Sequence, residues 1–243
     1  IYKKQGPHHS YGGPAYYIQT ALKQNWLATL FASVLILTYM GGFNLLASFN
    51  VADAFTQYSW ANEWTPWIIG AILAVLMAAS IFGGTRRLTD VTGFLVPVMA
   101  IIYLGVGLIV VVLNYQNIPA MFSAIFSNAF DFPAIFGGFA GSAMMYGIKR
   151  GLYSNEAGVG SAPNAAASAS VSHPAKQGLV QMLSVFIDTM IICTLTAFVV
   201  LSSGVGQDGG VTGAPLVKDA MATVLGQPVA QVFISVALFL FAF

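Results

Sequence analysis

Gly93-Phe-Leu-Val-Pro-Val-Met-Ala-Ile-Ile-Tyr-Leu-Gly-Val-Gly-Leu-Ile-Val-Val-Val-Leu-Asn-Tyr115 contains no Asp, Glu, Lys, Arg or His. A hydrocarbon layer about 30 Å thick is crossed by about 20 apolar helical residues, so this run is long enough to span a bilayer as one helix. The pattern continues on both sides. Trp26–Ala52, Pro66–Gly84 and Gly178–Ser203 are comparable runs, the last carrying Asp188 as its one acidic residue. Ala120–Tyr146 is apolar but broken, and Gln227–Phe243 stays apolar to the last residue. The expected organisation is therefore a single transmembrane domain over 1–243 with spans at 26–52, 66–84, 93–115, 120–146, 178–203 and 227–243, and a cytoplasmic loop at 147–177.

Composition agrees with lipid as the solvent. Of 243 residues 57% are apolar and only 7% charged, against about 25% in ordinary soluble domains, and the mean hydropathy is +0.77. A net charge of +1 offers no footprint for nucleic acid, and the single Cys193 excludes an intrachain disulfide. Backbone groups in lipid must be satisfied within the segment, which favours an all-α integral membrane protein; a barrel needs short alternating strands that are not seen. The chain starts without Met and stops inside Phe233–Phe243, so it reads as part of a longer protein.

Orientation follows from the loops, since cytoplasmic loops accumulate Lys and Arg. Lys3, Lys4, Lys23, Arg86, Arg87, Lys149, Arg150 and Lys176 fall on one side, and Lys218 alone falls on the other with Asp53, Glu63, Asp131, Asp208 and Asp219. The expected N-terminus is cytoplasmic. Trp60, Trp64, Trp67 and Tyr115 fit an interfacial aromatic belt on the outer side.

Four places carry polar chemistry. In Phe132-Pro-Ala-Ile-Phe-Gly-Gly-Phe-Ala-Gly-Ser142, Gly137, Gly138 and Gly141 interrupt a helix at membrane depth. Free amides at such a break suit a carboxylate, with Phe139 closing over it; close packing of helices through small residues fits equally well. In Gly147-Ile-Lys-Arg-Gly-Leu-Tyr-Ser-Asn-Glu-Ala-Gly-Val-Gly-Ser-Ala-Pro163, Ser154 and Asn155 are expected to cap a helix with Glu156 in its first turn, while Lys149 and Arg150 meet the end of the preceding one. A gating loop is the functional alternative. Asp188 is the intramembrane carboxylate, read as a structural hydrogen-bond acceptor slightly ahead of an ion-coupling group. Asn44 either reaches a substrate or bonds a neighbouring helix, the second being commoner. No hydrolase or metalloprotease motif occurs and all three His lie in loops, so an enzyme is not expected.

Gly12-Gly-Pro-Ala-Tyr-Tyr-Ile18, the Gly147–Pro163 segment, and Gln177-Gly-Leu-Val180 followed by Phe186-Ile-Asp-Thr189 together resemble the alanine or glycine:cation symporter family, the sodium:alanine symporters. The resemblance runs over nearly the whole chain. It implies a leucine-transporter-type inverted-repeat fold of which this chain holds about six helices, the third to eighth spans. It also implies uptake of a small neutral amino acid, alanine or glycine, coupled to sodium, with no organic cofactor, in the plasma membrane of a prokaryote. On this resemblance the break at Gly137, Gly138, Phe139, Ala140 and Gly141 becomes the substrate-binding segment, Asn44 a polar contact, and Asp188, Asn155 and Glu156 structural or gating residues. The sodium site is expected mainly from spans outside the chain. One departure stands out: many members carry Asn-x-x-Gln in the third span, whereas this chain reads Asn44-Leu-Leu-Ala47, which bears on substrate choice. Proton coupling on the same fold, a channel, and a membrane-embedded enzyme are the alternatives.

Overall fold

Residues 2–7, 10–82, 84–130, 139–156, 158–206 and 210–242 are described by a computed structural model, with the side chains of 84–88, 128 and 139–144 outside the description. Apart from a two-residue antiparallel pair, Lys4–Gln5 (β1) with Ser10–Tyr11 (β2), the regular structure among these residues is helical. Among the described residues four helical stretches are long and apolar enough to cross a membrane: Asn25–Thr56, Thr65–Phe82, Thr89–Leu113 and Pro174–Ser203, with Gln227–Ala242 a shorter apolar helix. Large apolar side chains on them stand outward; Leu37, Val75 and Ile101 are 72%, 67% and 70% exposed. Water would penalise such faces and acyl chains do not, so this is an all-α, multi-pass membrane protein.

The chain divides into two compact units, residues 1–43 with 130–193 and residues 44–129 with 194–243. In the first, α1 (Pro14–Ala21) starts at Pro14, whose missing amide costs nothing at a helix start, and it packs on α2 (Asn25–Leu37). After α7 (Phe139–Ser154) and α8 (Ser161–Ser168), α9 (Pro174–Phe186) begins with His173 Nδ1 accepting the Ala175 amide at 3.2 Å. Two glycines allow the N-terminal segment to meet α8. Gly13 sits at φ 134 and a Cβ there would fall inside the Asn164 side-chain amide; Gly160 sits at φ 95 and its Cβ would lie 2.8 Å from Pro14 Cγ. Lys3 Nζ donates to the Ala169 carbonyl at 2.8 Å, closing the same contact from the other end of α8.

The second unit contains α3 (Asn44–Thr56), α4 (Thr65–Phe82), α5 (Gly84–Leu113), a 3-10 turn at Tyr115–Asn117, α6 (Ile118–Ala129), α10 (Thr194–Ser203), α11 (Ala214–Leu225) and α12 (Gln227–Ala242). Val51, Ile69 and Leu73 form a buried cluster against Phe55, Leu238, Phe239 and Ala242, which joins α3, α4 and α12. Met221, Val110 and Val199 are fully buried in the same unit. A few polar bonds stitch the helices where the apolar fit leaves hydroxyls inside: Tyr103 Oη with Thr196 Oγ1 at 2.7 Å, and Asn117 Nδ2 donating to the Ser202 carbonyl at 2.7 Å. Pro97 lies inside α5 and has no amide for the carbonyl of Gly93, four residues earlier.

Among the described residues, two of the long helices contain a π-helical segment. π1 (Thr38–Phe43) separates α2 from α3, and π2 (Ile187–Cys193) separates α9 from α10. In each, bonds skip to the fifth residue, so a turn takes up extra chain and the side chains around it change register. Gly41 and Gly42, weak helix formers with nothing within 4 Å of where a Cβ would stand, make the normal ladder easier to leave in π1. The boundary between the two units falls at the end of both segments, Phe43/Asn44 and Cys193/Thr194.

Candidate functional site

Among the described residues of the first unit, polar side chains gather around the C-terminal end of α7. Ser154 Oγ donates to Asp188 Oδ2 at 2.7 Å, and Thr189 Oγ1 donates to Asn155 Oδ1 at 2.7 Å. Asn155 uses its amide nitrogen as well, donating Nδ2 to the Gly151 carbonyl at 2.8 Å and so satisfying one of the carbonyls a helix end leaves open. Cys193 Sγ lies 3.6 Å from Ser154 Oγ. All four residues of the two pairs are half-buried, so each bond is only partly exposed to competing solvent. Next along α7, the Tyr153 ring stacks on Phe43 at 5.5 Å between centroids and 13° between planes, and Phe43 stacks on Tyr39 at 5.0 Å and 11°.

Local geometry explains why these side chains converge. In an α-helix, residues five apart diverge by about 140°, since each step turns about 100°. The wider π turn brings Asp188 and Cys193, five apart, toward the same neighbour, Ser154. Asp188 thereby obtains a hydroxyl donor, which a carboxylate in an apolar helix requires. Glu156 accepts from the Ser161 hydroxyl at the start of α8, and its own backbone is left-handed at φ 49.

That left-handed residue corrects part of the sequence reading. Ser154 and Asn155 do not cap a helix beginning at Glu156: α7 runs to Ser154, Glu156 turns the chain, and Gly158 and Gly160, at φ 84 and 95, carry it to a helix start at Ser161. Lys149 and Arg150 consequently lie before the last turn of α7 instead of meeting its end; Lys149 Nζ stands 5.9 Å from the Tyr146 ring centroid. The partners of Asp188 and Asn155 were not visible beforehand. The adjacency of Asp188 and Thr189 is the one local hint of a two-rung polar contact.

Of the residues expected to contact substrate, Gly137 and Gly138 lie outside the described residues, and Phe139, Ala140 and Gly141 form the first backbone positions of α7. Asn44 opens α3, directly after π1, and is exposed. A cavity of about 420 Å³ in the first unit is lined by Tyr17, Ala167, Gln177 and Gln181 among others, and by none of these residues. Among the described residues no cluster of three or more His, Cys, Asp or Glu is placed to hold a metal ion.

Comparison with known proteins bears on the whole chain. The sequence pattern of the sodium:alanine symporter family matches residues 1–243. The chain is 43% identical over 243 residues to the amino-acid carrier protein AlsT of Bacillus subtilis, covering all of this chain and 51% of that protein. It is 39% identical over 243 residues to the "Probable sodium/glutamine symporter GlnT" of the same organism, covering all of the chain and 50% of the relative. To the sodium/alanine symporter AgcS of Methanococcus maripaludis it is 36% identical over 241 residues, 96% of the chain and 52% of the relative. The chain thus spans about half the length of the curated relatives it matches.

Proposed function

Since the chain belongs to the sodium:alanine symporter family, we propose that it forms the central part of a secondary active transporter that carries a small neutral amino acid into the cell with sodium. The family consists of transporters, not enzymes. The observation that carries the proposal is the match of the family pattern over residues 1–243. Coupling is a thermodynamic requirement: the amino acid moves uphill only if the same conformational change lets sodium run downhill.

In this reading the chain is the third to eighth spans of a leucine-transporter-type inverted-repeat fold, with its N-terminus cytoplasmic and the 147–177 segment on the cytoplasmic side of the plasma membrane. The break from Gly137 to Gly141 offers backbone amides and carbonyls to the amino acid, Phe139 covers its apolar side, and Asn44 supplies a polar contact. Alanine or glycine is the substrate first in line. Glutamine or another amino acid is the second reading, favoured by the 39% identity to the sodium/glutamine relative and by Ala47 where many members carry Gln.

The test is uptake of labelled alanine, glycine and glutamine by the full-length transporter in proteoliposomes, with inward gradients of sodium or protons or neither. Accumulation above equilibrium that requires sodium supports the proposal and ranks the substrates. Accumulation driven by protons alone removes sodium from it, and non-saturating flux without accumulation points to a channel.

A further inference from the structure

Three consecutive residues at the end of α7 each engage a π segment. Tyr153 stacks on Phe43 of π1, Ser154 donates to Asp188 of π2, and Asn155 accepts from Thr189 of π2. Both long helices depart from α geometry at the places that meet this end, and π insertions are concentrated at functional positions. The opposite end of α7 begins at Phe139. At 1.5 Å per residue, a helix of 16 residues is about 24 Å long, so whatever fixes Ser154 also sets where Phe139 stands along the helix axis.

We propose that π1 and π2 form a seat for the end of α7, and that Asp188 acts in it as a positioning residue and hydrogen-bond acceptor and not as an ion ligand. The proposal rests on the transporter reading above. Its chemistry is specific. Asp188 contributes one oxygen to a hydroxyl donor, a task that an amide oxygen performs equally well, whereas binding or releasing a cation uses the carboxylate's charge. The contacts are of two unlike kinds, a ring stack to π1 and two hydrogen bonds to π2, so the end of α7 is held from two separate helices.

The experiment uses the full-length transporter in proteoliposomes, with wild-type uptake measured first, because loss of sodium-driven accumulation there defeats the transporter reading independently of the seat. With wild type active, Asp188→Asn is expected to keep at least about half of the maximal uptake rate and the same half-activating sodium concentration. Ser154→Ala and Asp188→Ala are expected to lower the maximal rate about tenfold, again without moving the sodium dependence. Their unfolding midpoints in detergent, with that of the double variant, provide a readout without transport: the double variant should lose no more than either single one, since both remove the same bond. Loss of sodium dependence or of uptake in Asp188→Asn overturns the positioning role in favour of an ion site. Additive midpoints overturn the Ser154–Asp188 contact.

Discussion

The two units hold themselves together by different means. In the second, Val51, Ile69 and Leu73 close against α12, and Met221 and Val199 are fully buried, so the helices are joined mainly by shape. Around the end of α7 in the first unit, the contacts are two hydrogen-bonded pairs, a ring stack and a thiol beside a hydroxyl. Lipid offers no hydrophobic drive for one helix to meet another, so apolar fit supplies dispersion contact over large areas while each polar bond supplies little energy and fixed direction. The packed unit is built for firmness, and the bonded end of α7 is built for register.

This contrast can be broken most severely at the glycine that admits the N-terminal segment. Gly13→Ala forces a side chain into Asn164 at a φ of 134, and a loss of about 3 kcal/mol or more is expected, read as a collapse of the unfolding midpoint or of folded yield in detergent. Next, Met221→Ala in the packed unit should cost about 2 kcal/mol, near the low end for buried truncations, because lipid in place of water removes part of the transfer penalty. Smaller again, Thr189→Val at the end of α7 and Tyr103→Phe in the packed unit should each cost about 0.6–1 kcal/mol in reversible unfolding. If Thr189→Val proves as costly as Met221→Ala, the distinction between firmness and register fails. Leu37→Ala, on a side chain 72% exposed, should change stability by less than about 0.5 kcal/mol; a larger loss would show that this face meets protein.

Much of the architecture was legible because hydropathy reports the solvent a helix faces, and the apolar runs needed no tertiary information. Thr65–Phe82 and Pro174–Ser203 are long enough to cross a bilayer; the first carries no charged residue and the second only Lys176 and Asp188. The π segments were not legible. A skipped hydrogen bond leaves no hydrophobic period of its own, and Tyr39 to Phe43 reads equally well as ordinary helix. Nor could spacing reveal that Ser154 and Asn155 face Asp188 and Thr189, 34 positions later in each case, since that pairing is a property of packed helices. The misplaced helix start at Glu156 has a plainer cause. Ser-Asn-Glu satisfies the residue preferences of a cap, and only the backbone shows that Glu156 is in the left-handed region, where the chain turns instead of winding.

Pro97 divides α5 in a way that isotope exchange can read. A helix melts or opens along an unbroken run of amide-to-carbonyl bonds, and the missing amide at Pro97 interrupts that run between Gly84 and Leu113. Opening of the residues before Pro97 is therefore expected to stop short of those after it. Deuterium should enter the two halves with different protection, and a heavy-atom label on the Gly93 carbonyl should report water at that depth through its infrared stretch.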